Sequence, residues 1–157
     1  MSGCVSAIFF CLESGRPSKF TQQVTVMGNY GMQGDRHARE NSSRQILLVS
    51  EAVLEELRLR PGALKENFTI RGANVNAFPA GTRLRVGSVA EFEVTEPCSP
   101  CERLNAIRAG LKEKLAGRRG VYAKVSRGGI IRVDDAVTVL GRPAPTDVFP
   151  LVSPPEA

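Results

Sequence analysis

The 157-residue chain contains no tryptophan, and none of its apolar runs approaches the roughly 20 residues that a membrane-spanning helix requires. The sequence therefore predicts no membrane segment. The apolar residues 5–12 are similar to the core of a signal peptide, but no basic region precedes them and Glu13 follows directly. We interpret them as a buried first strand, and the absence of a signal predicts a cytoplasmic protein.

Aromatic residues make up only 6% of the chain, although its net charge is +5. Part of this charge comes from a basic stretch between residues 103 and 127. Such a stretch can bind nucleic acid or a phosphorylated small molecule. Because aromatic side chains for base stacking are almost absent from it, we predict an anionic small-molecule ligand and no nucleic-acid partner.

The chain lacks a Walker-type phosphate loop and a Gly-x-Gly-x-x-Gly fingerprint, which argues against a Rossmann-type nucleotide site. Its one Cys-x-x-Cys pair, Cys98 and Cys101, is open to several interpretations. A zinc site needs a second ligand pair, which the distant Cys4 and Cys11 do not supply, although His37 is a single extra candidate. A thiol oxidoreductase, one reactive thiolate with an incidental neighbour, and two buried structural cysteines are the other interpretations.

Short strand patterns dominate the chain. The segments with strand-like alternation or compact apolar runs are residues 5–12, 21–27, 45–49, 67–71, 83–86, 90–95, 120–125, 130–133 and 136–140. Glycine and proline turns separate many of them. This pattern favours a mainly β fold, a closed or nearly closed β-barrel, over a parallel α/β sheet.

Only two helices are predicted. The first covers residues 51–59, with Ser50 as its N-cap, and the second follows Cys101. The apolar face of the second helix consists of Leu104, Ile107, Leu111 and Leu115. We assign residues 1–142 to one domain and the proline-rich residues 143–157 to an extended C-terminal tail.

A glycine-rich polar loop carries the only histidine of the chain. Gly31 and Gly34 permit backbone conformations that other residues resist. Within the loop, Asp35, Arg36 and His37 provide an acid, a cation and an imidazole side by side. His37 is a candidate proton donor, since an unperturbed pKa of about 6.5 suits that role. The alternative is a polar surface loop with a hydrogen-bonded histidine.

Six segments in a fixed order resemble the MOSC domain, the C-terminal domain of molybdenum-cofactor sulfurase and its relatives. The segments are Gly31-x-x-Gly34-Asp35-x-His37, Arg44-Gln45-Ile46-Leu47-Leu48-x-Ser50, Pro61-Gly62-x-x-Lys65-Glu66-Asn67-x-Thr69, Pro79-x-Gly81-x-x-Leu84-x-Val86-Gly87, Pro100-Cys101-x-x-Leu104 and Arg119-Gly120-Val121-Tyr122-Ala123-x-Val125-x-x-Gly128-Gly129. The resemblance spans residues 5–140. One departure is Asp134-Asp135, where the family often has Gly-Asp, which leaves the geometry of that turn open.

The resemblance implies a strand-rich barrel that binds the molybdenum cofactor, a molybdopterin with a terminal phosphate. It also implies an essential cysteine, which corresponds to Cys101. In the reductase branch this thiolate ligates molybdenum and the substrates are N-hydroxylated compounds. In the sulfurase branch the domain handles sulfur, so the alternative is a carrier of sulfur or cofactor with a persulfide on Cys101. The family is also associated with pyridoxal phosphate, through a sulfurase domain that we expect this stand-alone bacterial type to lack.

The resemblance implies roles for particular residues. Cys101 is the expected metal ligand and, with His37 and Asp35, the expected catalytic group. The candidate cofactor-binding residues are Arg36, Arg44, Ser50, Lys65, Glu66, Asn67, Arg118 and Arg119. The expected partners are an electron-donor reductase or a cofactor-acceptor enzyme, a small-molecule substrate and a second copy of the chain in a homodimer.

Overall fold

The computed structural model describes residues 2–13 and 16–142, so the predicted tail at 143–157 lies outside the described residues. Within them the chain forms eleven strands and three short α-helices. The strands are β1 (Ser2–Phe10), β2 (Lys19–Thr21), β3 (Gln23–Met27), β4 (Gly31–Met32), β5 (Ile46–Ser50), β6 (Phe68–Arg71), β7 (Arg83–Val86), β8 (Ala90–Pro97), β9 (Val121–Arg127), β10 (Gly129–Arg132) and β11 (Ala136–Gly141). The helices are α1 (Glu51–Glu56), α2 (Leu104–Ile107) and α3 (Leu111–Lys114), and a 3₁₀ turn covers Val75–Ala77.

Among these elements, seven strands close into a barrel. Their order is β1, β11, β7, β8, β9, β5 and β6, after which β6 pairs with β1 again. β5 and β6 run parallel, while the other neighbouring pairs of the barrel are antiparallel. β2 extends the sheet beyond β1, and β10, β3 and β4 form a separate sheet. The predicted mainly β fold with a closed barrel is therefore confirmed.

The barrel encloses the main hydrophobic core. Leu84 and Val86 of β7 and Phe92 and Val94 of β8 point inward and are almost completely buried. These residues alternate with polar ones, as expected for strands with one solvent-facing side. Phe68 of β6 packs against Phe92, with ring centroids 5.6 Å apart. The barrel interior is thus filled by side chains, and a binding site must lie on its surface.

β5 is buried on both faces, which explains its uninterrupted apolar sequence. Ile46 and Leu48 belong to the barrel core, whereas Leu47 and Val49 belong to a second cluster that includes residues of all three helices. The remaining fully or largely buried members of this second cluster are Val53, Leu54, Leu57, Leu59, Leu64, Cys98, Leu104, Leu111 and Leu115. Because Cys98 and Leu104 flank Cys101, this cluster fixes the segment that carries Cys101 against the barrel.

The helices are shorter than the sequence predicts. α1 ends at Glu56, and the helix predicted after Cys101 is divided into α2 and α3. α2 ends where Arg108 adopts an extended conformation, at φ −160° and ψ 132°, and Gly110 is left-handed at φ +82° directly before α3. Ile107 is therefore 49% exposed and leaves the apolar face that Leu111 occupies. No helix within residues 2–13 and 16–142 is long and apolar enough to cross a membrane.

The turn before β11 keeps a left-handed residue where the resembled family often has glycine. Asp134 adopts φ +78°, a conformation that aspartate tolerates better than most residues. Its amide donates a hydrogen bond to the Val5 carbonyl at 2.7 Å. The Asp135 carboxylate accepts one from the Arg132 amide at 2.8 Å. The turn is thus hydrogen-bonded to both β1 and β10 without the glycine.

Candidate functional site

A cavity of about 330 Å³ opens on the outer side of β5 and β9. Four basic residues, Arg36, Lys65, Arg103 and Arg119, contribute to its walls. His37 and Cys101 also line it, and the other lining residues are Leu47, Ala63, Leu64, Leu104, Ile107 and Tyr122. We call this cavity the Cys101 pocket. It combines five of the predicted site residues from four separate segments, because the barrel folds those segments onto one face.

Cys101 presents an exposed thiol at this pocket. It lies three residues before α2, and its carbonyl accepts a hydrogen bond from the Leu104 amide at 3.1 Å. Cys4 is partly buried, and Cys11 and Cys98 are buried, so Cys101 is the exposed thiol among the four. Its backbone is held by buried neighbours while its sulfur faces the cavity, an arrangement suited to a metal ligand or a nucleophile.

Tyr122 forms one wall of the pocket and was not among the predicted site residues. The Cys98 thiol donates a hydrogen bond to its hydroxyl at 3.5 Å. Burial, together with the hydrogen bond and charge of Cys98, raises the pKa of Tyr122 to about 12. The Arg44 guanidinium stacks 5.0 Å from the centre of the same ring and pairs with Glu96 at 3.2 Å. Arg44 therefore supports Tyr122 and does not line the pocket.

Asp35 is buried behind His37 and holds it through two hydrogen bonds. Its Oδ2 accepts from the His37 amide and pairs with His37 Nδ1, both at 2.8 Å, and its Oδ1 accepts from the Cys11 amide at 2.6 Å. Burial alone would raise the pKa of Asp35, but the bonds from His37 and Cys11 outweigh it and lower that pKa. Burial would lower the pKa of His37, but the hydrogen bonds and charges of Asp35 and Cys11 raise it to about 9.

The loop before β6 brings Lys65 to the pocket. The next two residues, Glu66 and Asn67, are polar and buried, and they hold this loop in place. Lys65 is left-handed at φ +63°, and its ammonium donates to the Arg16 carbonyl. The Glu66 carboxylate accepts hydrogen bonds from the Gly62 and Leu64 amides at 2.8 and 3.2 Å, and from the Thr69 hydroxyl at 3.1 Å. Glu66 thus holds the loop in place from behind and does not line the pocket.

Asn67 is also completely buried and does not line the pocket. Its side-chain oxygen accepts a hydrogen bond from the Leu47 amide at 2.9 Å, and its side-chain nitrogen donates to the Phe9 carbonyl at 3.4 Å. The side chain therefore bridges β5 and β1 at the point where β6 enters between them. Its role in the structure is to join barrel strands, although it was predicted as a cofactor-binding residue.

Glu66→Ala is expected to lower the free energy of unfolding by about 3–5 kcal/mol, because each buried donor left without an acceptor costs about 1–3 kcal/mol. The donors concerned belong to Gly62, Leu64 and Thr69. Denaturant unfolding followed by circular dichroism measures the loss. Glu55→Ala, an exposed change on α1, is the control and should stay within about 0.5 kcal/mol of wild type. A loss below about 1 kcal/mol for Glu66→Ala would contradict this role.

Arg119 is the basic residue of the pocket with buried N–H groups that lack a partner among the described residues. Its Nη2 donates to the Leu64 carbonyl at 2.8 Å, but Nε and Nη1 are buried and have no partner among the described residues. Buried N–H groups without an acceptor are costly, so they indicate a place for an anion. The next residue, Gly120, has φ +117°, and a Cβ there would lie 2.5 Å from the Leu48 oxygen. This close approach sets Arg119 against β5.

Two other candidates lie at a different cavity, of about 580 Å³, beside α1. Arg118 points there and pairs with Glu56 at 2.9 Å. Ser50 occupies the N-cap position of α1, as predicted, but its hydroxyl makes no capping bond. The hydroxyl instead donates to the Ala73 carbonyl at 3.1 Å and accepts from the Val75 amide at 2.8 Å. Neither residue contributes to the Cys101 pocket.

The structure therefore separates the candidates into three groups. Arg36, His37, Lys65, Cys101 and Arg119 line the pocket. Asp35, Arg44, Glu66 and Asn67 support its walls or the nearby strands, and Ser50 and Arg118 lie elsewhere. Sequence reasoning missed Tyr122, although strand alternation between the inward-facing Val121 and Ala123 places it on the outer face.

The MOSC domain profile matches residues 34–138 of the chain. The solved structure of YuaD from Bacillus subtilis has a TM-score of 0.76 at 18% identity, covering 88% of this chain and 96% of that one. YiiM from Escherichia coli and YiiM from Geobacillus stearothermophilus have TM-scores of 0.67 and 0.68 at 19% identity. These alignments cover 92% and 89% of this chain, and 72% and 76% of the respective YiiM chains.

At these identities the structural similarities concern the fold. No curated protein sequence matches the chain. The profile match, however, covers well over half of the 157 residues and contains His37, Cys101 and Arg119. The chain therefore belongs to the MOSC domain family, which is associated with binding of the molybdenum cofactor.

Proposed function

We propose that the Cys101 pocket binds the molybdenum cofactor, with the Cys101 thiolate as metal ligand, and that the protein reduces N-hydroxylated compounds. The observation that carries this proposal is one pocket lined by an exposed thiol and by Arg119, an arginine with two buried N–H groups that lack a partner among the described residues. A thiolate suits a soft transition metal. A guanidinium suits a phosphate.

The residues present fit such a cofactor. Arg119 would bind its terminal phosphate, and Arg36, Lys65 and Arg103 would balance its negative charge. The apolar surface of the pocket, including the exposed Ile107, would cover the flat pterin. When bound, the cofactor would supply a redox-active metal centre that exchanges electrons with the substrate.

His37 is the proposed proton donor of the reaction. Reduction of R–NH–OH takes two electrons and two protons, breaks the N–O bond and releases R–NH₂ and water. His37 lines the pocket, and Asp35 fixes its orientation through Nδ1. A held imidazole can protonate the departing oxygen, while Tyr122 and the leucines that line the pocket limit access of water. Solvent supplies the second proton.

The electrons must come from a partner, since the sequence has no flavin or nucleotide fingerprint and no iron–sulfur cysteine set. We propose an electron-donor reductase for this role. All four cysteines are free thiols, as a reducing compartment would keep them, which supports the expected location in the cytoplasm.

A turnover assay tests the reductase proposal. Protein loaded with cofactor, supplied with a reduced one-electron dye and an aromatic N-hydroxyamidine, should form the amidine. Cys101→Ala should reduce this rate more than 100-fold, whereas Cys98→Ala, the matched control, should leave it within a few-fold. Loaded wild-type protein that forms no amidine, but carries a persulfide on Cys101 in mass spectra, would favour the carrier function. An inactive Cys98→Ala variant, together with a reversible Cys98–Cys101 disulfide in the wild-type protein, would favour a thiol oxidoreductase.

A further inference from the structure

Cys11 connects the two loops that bring cations to the Cys101 pocket. It follows β1 directly and is 2% exposed. Its carbonyl accepts a hydrogen bond from the Arg36 amide at 2.8 Å, and its amide donates to Asp35 at 2.6 Å. Its thiol donates to the Lys65 carbonyl at 3.2 Å. One buried residue therefore contacts the His37 loop and the Lys65 loop at the same time.

The Cys11 thiol also approaches the imidazole. The Cys11 sulfur, a ring nitrogen of His37 and a carboxylate oxygen of Asp35 lie within 4.8 Å of one another. Asp35 already accepts three hydrogen bonds from N–H groups of Cys11 and His37. A cation would have to displace these donors, so the arrangement is better suited to orienting His37 than to binding a metal. The thiol and the carboxylate thus both lie beside the imidazole, and the carboxylate is hydrogen-bonded to it.

We propose that Cys11 is a positioning residue of the Cys101 pocket, which holds His37 as a proton-bearing imidazole and Lys65 as a second cation on the pocket wall. Only the identity of the molecule bound in the pocket rests on the proposed function. The contacts that Cys11 makes with other residues of this chain do not depend on it. Nothing in the family resemblance assigns a role to this position, and Cys11 does not itself line the pocket.

In this proposal the contacts of Cys11 control the charge state of His37. The titratable and charged groups nearest to it are Asp35 and Cys11 behind the ring, and Arg36, Lys65, Cys101 and Arg119 around the pocket. Its folded-state pKa of about 9 exceeds the unfolded value of about 6.5. The proton therefore stabilises the fold fully below pH 6.5, and this contribution is lost as the pH rises through about 9.

Nuclear magnetic resonance titration tests the proposal directly, because the chain has one histidine and hence one set of imidazole resonances. In cofactor-free wild-type protein we expect a midpoint near pH 9. Cys11→Ala keeps the backbone hydrogen bonds but loses the thiol, so its midpoint should fall by about one unit or more. Cys4→Ala, a cysteine change within β1, is the matched control and should titrate like wild type.

Cys11→Ser separates positioning from simple packing. Its hydroxyl can still donate to the Lys65 carbonyl, so the Lys65 resonances should return toward their wild-type positions while the His37 midpoint stays below the wild-type value. This variant also carries the test if Cys11→Ala does not fold. A midpoint near 6.5 in wild type, or unchanged midpoints in the Cys11 variants, would overturn the proposal. Because no cofactor is present, failure of the proposed function would leave these titrations unaffected.

Discussion

Replacing Arg119 by leucine is expected to lower the affinity for the cofactor about 10- to 100-fold, whereas the same change at Arg118 should alter it less than about twofold. A hydrogen bond to a charged group contributes about 1.5–3 kcal/mol, and every 1.4 kcal/mol is a factor of about ten in affinity. Arg119 lines the pocket, and two of its N–H groups are buried without a partner among the described residues. Arg118 is paired with Glu56 at a different cavity.

The two arginines are adjacent in sequence, which makes them a closely matched pair for measurement. Each variant would be purified without air from a host that makes the cofactor, and the retained pterin would be measured by fluorescence after oxidation and release. Thermal unfolding of the cofactor-free proteins controls for lost stability, since Arg119 also donates to the Leu64 carbonyl. Equal pterin loss in both variants would contradict the assignment of the phosphate to Arg119.

Cys101→Ala is expected to remove nearly all bound molybdenum. In the proposed site its thiolate is the protein's bond to the metal, and Cys98, the nearest other cysteine in the sequence, is buried with its thiol directed to Tyr122. The variant changes an exposed side chain, so it should unfold like wild type. Cys98→Ala should retain the metal. Together the two variants determine which cysteine of the Cys-x-x-Cys pair is needed to retain molybdenum.

The fold was largely predictable because its signals are local. Period-two alternation located β7 and β8 with their connecting turn, and an uninterrupted apolar run located β5. The helical region was harder to predict. Leu104, Ile107, Leu111 and Leu115 have helical spacing, but an extended Arg108 and a left-handed Gly110 divide the helix. The backbone conformation of this short connection therefore outweighed the hydrophobic periodicity around it.

The site was predictable only in part, since it depends on which way each side chain points. The order of polar segments indicated Asp35, His37 and Cys101, but it gave no means of distinguishing Arg119 from Arg118. Their difference arises from the close approach of Gly120 to β5. Glu66 and Asn67 looked like ligands because they are polar, whereas backbone amides occupy their acceptors. Cys11 meets His37 only because the loop after β4 folds onto the segment after β1, a long-range contact that spacing does not encode.

The central claim, that the Cys101 thiolate holds a molybdenum cofactor in this pocket, is tested most directly by the metal content of the purified protein. Inductively coupled plasma mass spectrometry would be applied to wild type, Cys101→Ala and Cys98→Ala, prepared without air from a cofactor-producing host. We predict nearly one molybdenum per chain in wild type and Cys98→Ala, and very little in Cys101→Ala. Absence of molybdenum from wild type, or equal amounts with and without the Cys101 thiol, would contradict it.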